Sequence, residues 1–576
     1  MSKTVAEQMV EIIAAAGVKR VYGVTGDSLN LFNDAIRRDG RIQWVHVRHE
    51  EAGAYAAMAE GVLGGLGCCA GSSGPGHVHL INGLYDAHRW GAPVLALPST
   101  ILRDDYGMES FQETDLRMFD GCSHYNQLAQ TAKQLPRMLQ QAIQHALSLH
   151  GVGVCGFSGD LIAEDVAEDA IVSPVYRPEP LLRPSDAELD KLAELLNSTD
   201  KIMIYGGIGC TGAHDLVMSL ADKLKAPVGY TLKGKMALEY DNRFDAGMTG
   251  FIGGAACADA IHDCDVLLML GTDFPWKDFL VTKAKVAQIL NRPERLGRRT
   301  HVELGLAGDI APTLEALLPR IKAKRDDVFL KDRLAARSKD RERLQVHAAE
   351  KGKTGAIGPE YLATMLDKYA DDDAIFTSDT GMSTVWAARY LRATGKRTLM
   401  GSFSHGSMAN AMPQAMGAAF AGDGRQVIAC CGDGGISMLL GDIMTIAQYK
   451  LPVKLIVFNN GSLGMVEIEM QLAGIPDNQT DLPNPKFEQV AEACGIKGIR
   501  VEDPGKLDAA IKDALSHDGP VLVNVTTDHN AVGMPPHTTL KQLRAYTISQ
   551  AKMLLEGRSA EVLQHVKENI KYIGDV

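Results

Sequence analysis

The chain predicts an α/β fold: three doubly wound parallel-sheet domains followed by a C-terminal helical tail. Three observations carry this. Short aliphatic and β-branched runs alternate with helix-length segments along the chain. Glycine-rich turns recur where those runs end. A length of 576 residues with 45% hydrophobic content provides core for roughly three to four domains of about 150 residues each. The net charge of -12 speaks against a general nucleic-acid binder.

The first block, residues 1–175, places β-runs at Val21 to Val24, Gln43 to Val47 and Val94 to Leu97 between helical patterns. SPVYRPEPLLRP, Ser173 to Pro184, is a proline-rich linker. The second block, residues 185–335, has runs at Ile202 to Tyr205 and Val266 to Leu270, and a charged connection, helical or irregular, runs from Arg337 to Gly358. The third block spans residues 355–530, and residues 531–576 form the tail. Blocks one and three could be distant internal repeats, although identity does not show it. Ten cysteines include the adjacent pairs Cys68-Cys69 and Cys430-Cys431 inside strand-like runs, with no CxxC spacing. They read as buried reduced thiols. The N-terminus lacks the pattern of a signal peptide, and no apolar run approaches the ~20 residues of a membrane span, so a cytoplasmic protein is expected.

Gly432 to Asn460 is the most informative stretch. GDGG follows one β-run (Val427 to Cys431), LPVKLIVFNN ends another (Val453 to Phe458), and 24 residues separate Gly434 from Asn459, enough for a right-handed crossover helix. Ligands of such sheets bind at the carboxyl ends of strands, where Asp433 and Asn460 fall. A carboxylate and an amide oxygen are hard ligands suited to Mg²⁺ and a diphosphate.

This segment resembles the GDG…NN motif of the thiamine diphosphate-dependent enzymes. The resemblance implies Asp433, Asn460 and the Ser462 carbonyl as metal ligands, with Gly434, Gly435, Gly461, Leu463, Gly464 and Met465 around the cofactor. In RHEE, Glu50 opens a helical stretch; alone it reads as a helix-terminal carboxylate favoured by the macrodipole. It matches the family's acid beside a ring nitrogen of the aminopyrimidine. In GSSGPGHVHLINGLYDAHR, Gly71 to Arg89, the wording is similar to that of pyruvate oxidases and quinone-linked pyruvate dehydrogenases. His79, with Phe111 and Gln112 of FQE, are the candidate pocket residues. In GSFSHGSMANAMPQAMGAA, Gly401 to Ala419, the family pattern assigns the Gly406 carbonyl to the aminopyrimidine, with Ser407 beside it, and makes Met408 the prop beneath the thiazolium.

The second block carries GGIGCTGA, TLKGK, GMTGFIGG and GTDFPW at expected strand ends. Together they resemble the FAD domain of the pyruvate oxidase branch, with Phe251, Ile252, Gly253, Gly254, Phe274, Pro275, Trp276, Lys277, Asp278 and Arg292 as implied contacts. The chain departs from the family in three places. Leu290 of ILNRP replaces an expected acid, Ser158 stands before Gly159-Asp160 where a proline is more familiar, and Met465 stands where some quinone-linked members carry phenylalanine.

The resemblance covers nearly the entire chain. It implies oxidative decarboxylation of pyruvate to acetate and CO2, electrons passing through FAD to a membrane quinone. In the tail, Val562, Leu563, Val566, Ile570 and Ile573 recur at helical spacing with Lys567 and Lys571 nearby. Such a stripe more often packs on its own protein; the quinone-linked relatives imply reversible docking on membrane lipid, here at the inner face of the cell membrane. Glu568 and Asp575 weaken that attraction. The family further implies a homo-oligomer, dimer at least and commonly tetramer, with each site spanning two subunits. The alternatives are an oxygen- and phosphate-dependent pyruvate oxidase, an acetolactate synthase, or a catalytically silent scaffold; retention of Glu50, Asp433 and Asn460 together argues against the last.

Overall fold

The computed structural model describes residues 2–273, 277–280, 282–531, 540–555, 558 and 562. Three six-stranded sheets follow one another along the chain, and all their pairings are parallel. The first holds β1 (Arg20–Gly23), β2 (Gln43–His46), β3 (Gly67–Gly71), β4 (Val94–Thr100), β5 (Tyr125–Leu128) and β6 (Val152–Ser158), in the order β2-β1-β3-β4-β6-β5. The second holds β7 (Ile202–Gly206), β8 (Val228–Tyr230), β9 (Asp245–Gly247), β10 (Val266–Leu270), β11 (Lys285–Leu290) and β12 (Leu304–Ala307), in the order β12-β11-β10-β7-β8-β9. A short antiparallel hairpin, β13 (Gly352–Lys353) with β14 (Ala356–Ile357), precedes the third sheet. That sheet runs β16-β15-β17-β18-β20-β19, from β15 (Ile375–Ser378), β16 (Thr398–Gly401), β17 (Val427–Gly432), β18 (Val453–Asn459), β19 (Lys497–Val501) and β20 (Val521–Thr526).

Counted from its own first strand, the third sheet repeats the strand order of the first, so the two blocks share a topology that identity did not reveal. The second sheet has the order of a dinucleotide-binding fold. Strands such as β3, β4 and β10 are buried along their whole length because helices cover both faces of each sheet.

Blocks one and three share one apolar core. Its seam is helix Glu50–Val62 against helix Ala411–Ala421. Both are rich in alanine and glycine, which lets their backbones approach closely. A Cβ added at Gly417 would lie 2.1 Å from the Ala56 carbonyl oxygen.

Two expectations need correction. The crossover between β17 and β18 is not one helix but Asp433–Met438 and Ile443–Tyr449, separated by a 3-10 turn at Leu440–Asp442. Glycine at 441 weakens a continuous helix, and Asp442 instead accepts from the Arg48 N–H at 2.8 Å, joining block three to block one. The charged connection begins earlier than Arg337, as helix Val328–Ala349. Arg337 and Arg341 on that helix both reach Asp245, at 2.8 and 2.7 Å, which docks it on the second block.

The tail's helix Leu540–Leu555 lies on the third block. Tyr546 packs against Ile468 and Leu472 of helix Gly464–Leu472, Lys552 donates to the Gly474 carbonyl at 2.9 Å, and Arg558 pairs with Asp477 at 2.7 Å. Val562, of the tail's apolar stripe, is buried. Leu563, Val566, Ile570 and Ile573 lie outside the described residues. No described helix is long and apolar enough to cross a membrane.

Candidate active site

The site is built from three groups of residues at sheet ends. In the first, His49 caps helix Glu50–Val62, its Nδ1 accepting from the Glu51 N–H at 3.3 Å. Glu50 is therefore fixed in the first turn and is buried. Its Oε2 lies 2.9 Å from His79 Nδ1, and Oε1 faces Gly76. The His79 ring stacks on His49 at 4.2 Å. Burial, with His79 alongside, pushes the His49 imidazole below its ordinary range. One helical turn after His79, Asn82 donates to Glu51 at 2.8 Å and to Ser407 at 2.9 Å.

The turn from β3 into helix Pro75–Trp90 requires its glycines. Gly74 has φ +73°, and a Cβ there would meet Gln112 at 2.9 Å; one at Gly71 would meet the Gly76 carbonyl at 2.5 Å. Gln112 joins this turn by accepting from Ser73 Oγ at 3.0 Å. Phe111 does not: it is 88% exposed in the single chain.

The second group is the loop before helix Ala411–Ala421. Gly406 and Ala409 both have positive φ, and the Ser407 N–H donates to Ser402 Oγ at 2.9 Å. The loop places Met408 Cε 3.0 Å from the point a Gly434 Cβ would occupy, with Leu463 and Leu482 at 3.1 Å. Met408 and Gly434 thus face each other. Gly435 does not share that space: its Cβ would strike Asp379 at 2.2 Å. Asp379 accepts from the Ala411 and Gly432 N–H groups at 2.8 and 3.0 Å and ties both loops together. Burial pushes its carboxyl up to about 7.

The third group gathers oxygens. Asp433 Oδ1 accepts from the Gly434 N–H at 2.9 Å, and Oδ2 from the Gly461 N–H and Asn484 Nδ2, both at 2.7 Å. Burial raises the Asp433 carboxyl, and these donors oppose the shift. Asn460 Oδ1 lies 3.3 Å from Asp433 Oδ1 and 3.0 Å from the Ser462 carbonyl oxygen, and its one donor, the Ser462 N–H, is distant at 3.4 Å. Turning the amide over would let its nitrogen donate to both oxygens. A cation would satisfy all three as they stand. An octahedral Mg²⁺ with oxygens at about 2.0–2.1 Å has edges near 2.9 Å, so this donor set fits a hard divalent ion. Gly464 lies beside Asn460, while Met465 packs partly into the third block's core.

In the second block the strand-end glycines mostly pack on one another. A Cβ at Gly209 would lie 2.7 Å from Gly271 Cα, and one at Gly234 would lie 2.8 Å from the Gly206 carbonyl. The glycine pattern there is explained by backbone packing, and the strand order is what this sheet shares with dinucleotide-binding folds. Phe251 is partly exposed with its ring 5.3 Å from that of Phe279, and the Ile252 carbonyl accepts from Arg389 at 3.2 Å. Gly253 packs on Met248 and Thr249, and Gly254 faces Asp340. Lys277 is exposed, and the Arg292 guanidinium is pushed down by burial. Leu290 is buried, and Asp160 pairs with Arg103 at 2.6 Å. Phe274, Pro275 and Trp276 and the Asp278 side chain lie outside the described residues.

Sequence reasoning missed His49, Asn82, Asp379 and Asn484. Asn82 sits one helical turn from His79, so its spacing was a usable signal. Asn484, in DLPNPKF, had none.

Two blocks of like topology flank a dinucleotide-type sheet, and one of them carries an oxygen cradle suited to a metal diphosphate. Three family models match in that order: the thiamine pyrophosphate enzyme N-terminal TPP binding domain over residues 3–119, the central domain over 189–317, and the C-terminal TPP binding domain over 379–525. The chain is 35% identical over 573 residues to the putative thiamine pyrophosphate-containing protein YdaP of Bacillus subtilis (strain 168), covering 99% of each. It is 30% identical to a pyruvate oxidase of Lactiplantibacillus plantarum, over 90% of this chain and 87% of that one. It is 28% identical to the acetolactate synthase isozyme 2 large subunit of Escherichia coli (strain K12), over 91% and 95%. The protein belongs to the thiamine diphosphate-dependent enzymes.

Proposed function

We propose that this enzyme oxidises pyruvate to acetate and CO2, with water supplying the added oxygen of acetate, and delivers the two electrons through FAD to a membrane quinone. Bound thiamine diphosphate supplies the electron sink that lets CO2 leave a 2-oxo acid. Glu50, held by His79, would hold or move a proton at the aminopyrimidine, and the carboxylate and carbonyl oxygens of Asp433, Asn460 and Ser462 would hold Mg²⁺. The observation that carries this reading is the dinucleotide-type strand order of the second sheet, set between the two cofactor-binding blocks. The pyruvate oxidase relative, aligned over nine-tenths of the chain, supports it.

The acetolactate synthase relatives keep a second reading in play, as does an oxygen- and phosphate-dependent oxidase. One experiment separates them. Purified enzyme is mixed with pyruvate without oxygen while the flavin spectrum is followed, and a ubiquinone or menaquinone analogue is then added. Bleaching followed by recovery on quinone supports the proposal. Recovery only with oxygen, with acetyl phosphate formed from phosphate, identifies the oxidase, and acetolactate without bleaching identifies the synthase.

The proposal includes a homo-oligomer, at least a dimer, in which a second chain covers the loop bearing the exposed Leu102, Met108 and Phe111. It also includes conditional binding of the tail to lipid on the inner membrane face. Pyruvate-stimulated liposome binding that survives deletion of residues 531–576 rejects the tail's role.

A further inference from the structure

The Asn-Asn pair after β18 divides its work, and the division points outside the motif. Asn460 turns toward the oxygen cradle. Asn459 turns the other way, its Nδ2 donating to Asn524 Oδ1 at 3.0 Å and its own Oδ1 accepting from Asn484 Nδ2 at 3.0 Å. Asn524 Nδ2 donates to Glu488 Oε2 at 2.7 Å. Asn524 and Glu488 are both buried.

The direction of this chain of amides runs from its far end. Asn524 presents its NH2 to the Glu488 carboxyl group and its oxygen to Asn459. Asn459 in turn presents its oxygen to Asn484. Asn484 is left with two hydrogens to give, one to Asn459 and one to Asp433 Oδ2 at 2.7 Å. Backbone pairing delivers it: the Leu482 N–H donates to the Gly461 carbonyl and the Leu463 N–H to the Thr480 carbonyl, both at 2.8 Å.

We propose that Asn484 is a positioning residue for the metal site, donating to Asp433 Oδ2 so that Oδ1 is the oxygen offered to the cation. The relay Glu488–Asn524–Asn459 sets the orientation of the Asn484 amide. This rests on the reading of Asp433, Asn460 and Ser462 as a divalent-cation site. Partners that orient a metal ligand typically carry a 10–100-fold effect on metal affinity.

The test uses full-length protein and Mn²⁺ with inorganic pyrophosphate, free and bound ion being distinguished by electron paramagnetic resonance. Asn484 lies on a partly exposed loop, and thermal melting without metal checks that each variant folds. Asn484→Leu, which has no donor, is expected to weaken Mn²⁺ binding about 10–100-fold with melting unchanged. Asn484→Asp adds charge but also lacks the donor, and is expected to weaken binding as well. Wild-type affinity in the Leu variant overturns the proposal. Tighter binding in the Asp variant also overturns it, since residue 484 would then act through charge or ligation. If the wild-type protein itself binds no Mn²⁺, the cation site fails and the proposal fails with it, a result distinct from either variant outcome.

Discussion

Glu50 and His79 meet at 2.9 Å across the N-terminal ends of two helices, with His79 stacked on the cap of the helix that carries Glu50. Both ends of this contact are therefore anchored. A Glu50→Gln variant is expected to slow deuterium exchange at the cofactor's reactive carbon by about 10²–10⁴-fold, the usual range for a lost acid or base. His79→Ala, which removes the hydrogen bond that holds Glu50, is expected to cost about 10-fold. Acid-quenched NMR of the bound cofactor measures both, and an unchanged rate in His79→Ala would reduce the contact to packing.

Removing the metal should separate cofactor binding from folding. Dialysis against EDTA, or Asp433→Ala, is expected to weaken thiamine diphosphate binding about 100-fold or more by calorimetry, because the diphosphate then faces the cradle oxygens without a cation. Cofactor affinity indifferent to both treatments would reject the cradle as a metal site.

Asp86 gives a stability prediction with a definite sign. It is fully buried, accepts from Gln414 Nε2 at 3.2 Å, and has Ser402 and the Lys233 ammonium as neighbours. Burial pushes its carboxyl up to about 7, while the same burial pushes Lys233 down to about 8. The native state thus holds a proton that the unfolded chain releases near 4, so stability falls as pH rises from about 4 to about 7. Asp86→Asn cannot titrate. Its melting temperature relative to wild type is expected to climb between pH 5 and pH 7, by an amount worth a few kcal/mol. A pH-independent difference would contradict the assignment.

The seam between helices Glu50–Val62 and Ala411–Ala421 has no room for a methyl group at 417. The obstacle is backbone, the Ala56 carbonyl at 2.1 Å, and cannot rotate away. Gly417→Ala is expected to destabilise by at least 1–3 kcal/mol, the range typical of overpacking, measured by urea unfolding. Because Glu50 lies on one of these helices, cofactor affinity should fall as well.

The parallel strands and the GDGG to Asn-Asn segment were legible because each depends on residues close in sequence. An apolar run bounded by glycine marks a buried strand wherever it occurs. Asp433 and Asn460 could be placed at adjacent strand ends from spacing alone, and the observed β17–β18 pairing puts them there. The crossover was misread as one helix because Asp442 is drawn to the Arg48 backbone, a partner 394 residues away. Phe111 was read as a pocket residue from the family resemblance, and in the single chain its side chain is exposed on the loop that carries Gln112.

Composition, strand periodicity and the metal motif were thus determined by the sequence itself, since local backbone preference and short-range spacing suffice for them. Which glycines make room for another backbone and which face open space, that His79 and Asn484 hold the two acids, and that Val562 is buried were decided only by the tertiary structure. The reason is that a hydrogen bond or a close approach depends on where distant segments meet, and the chain writes each segment without naming its partner.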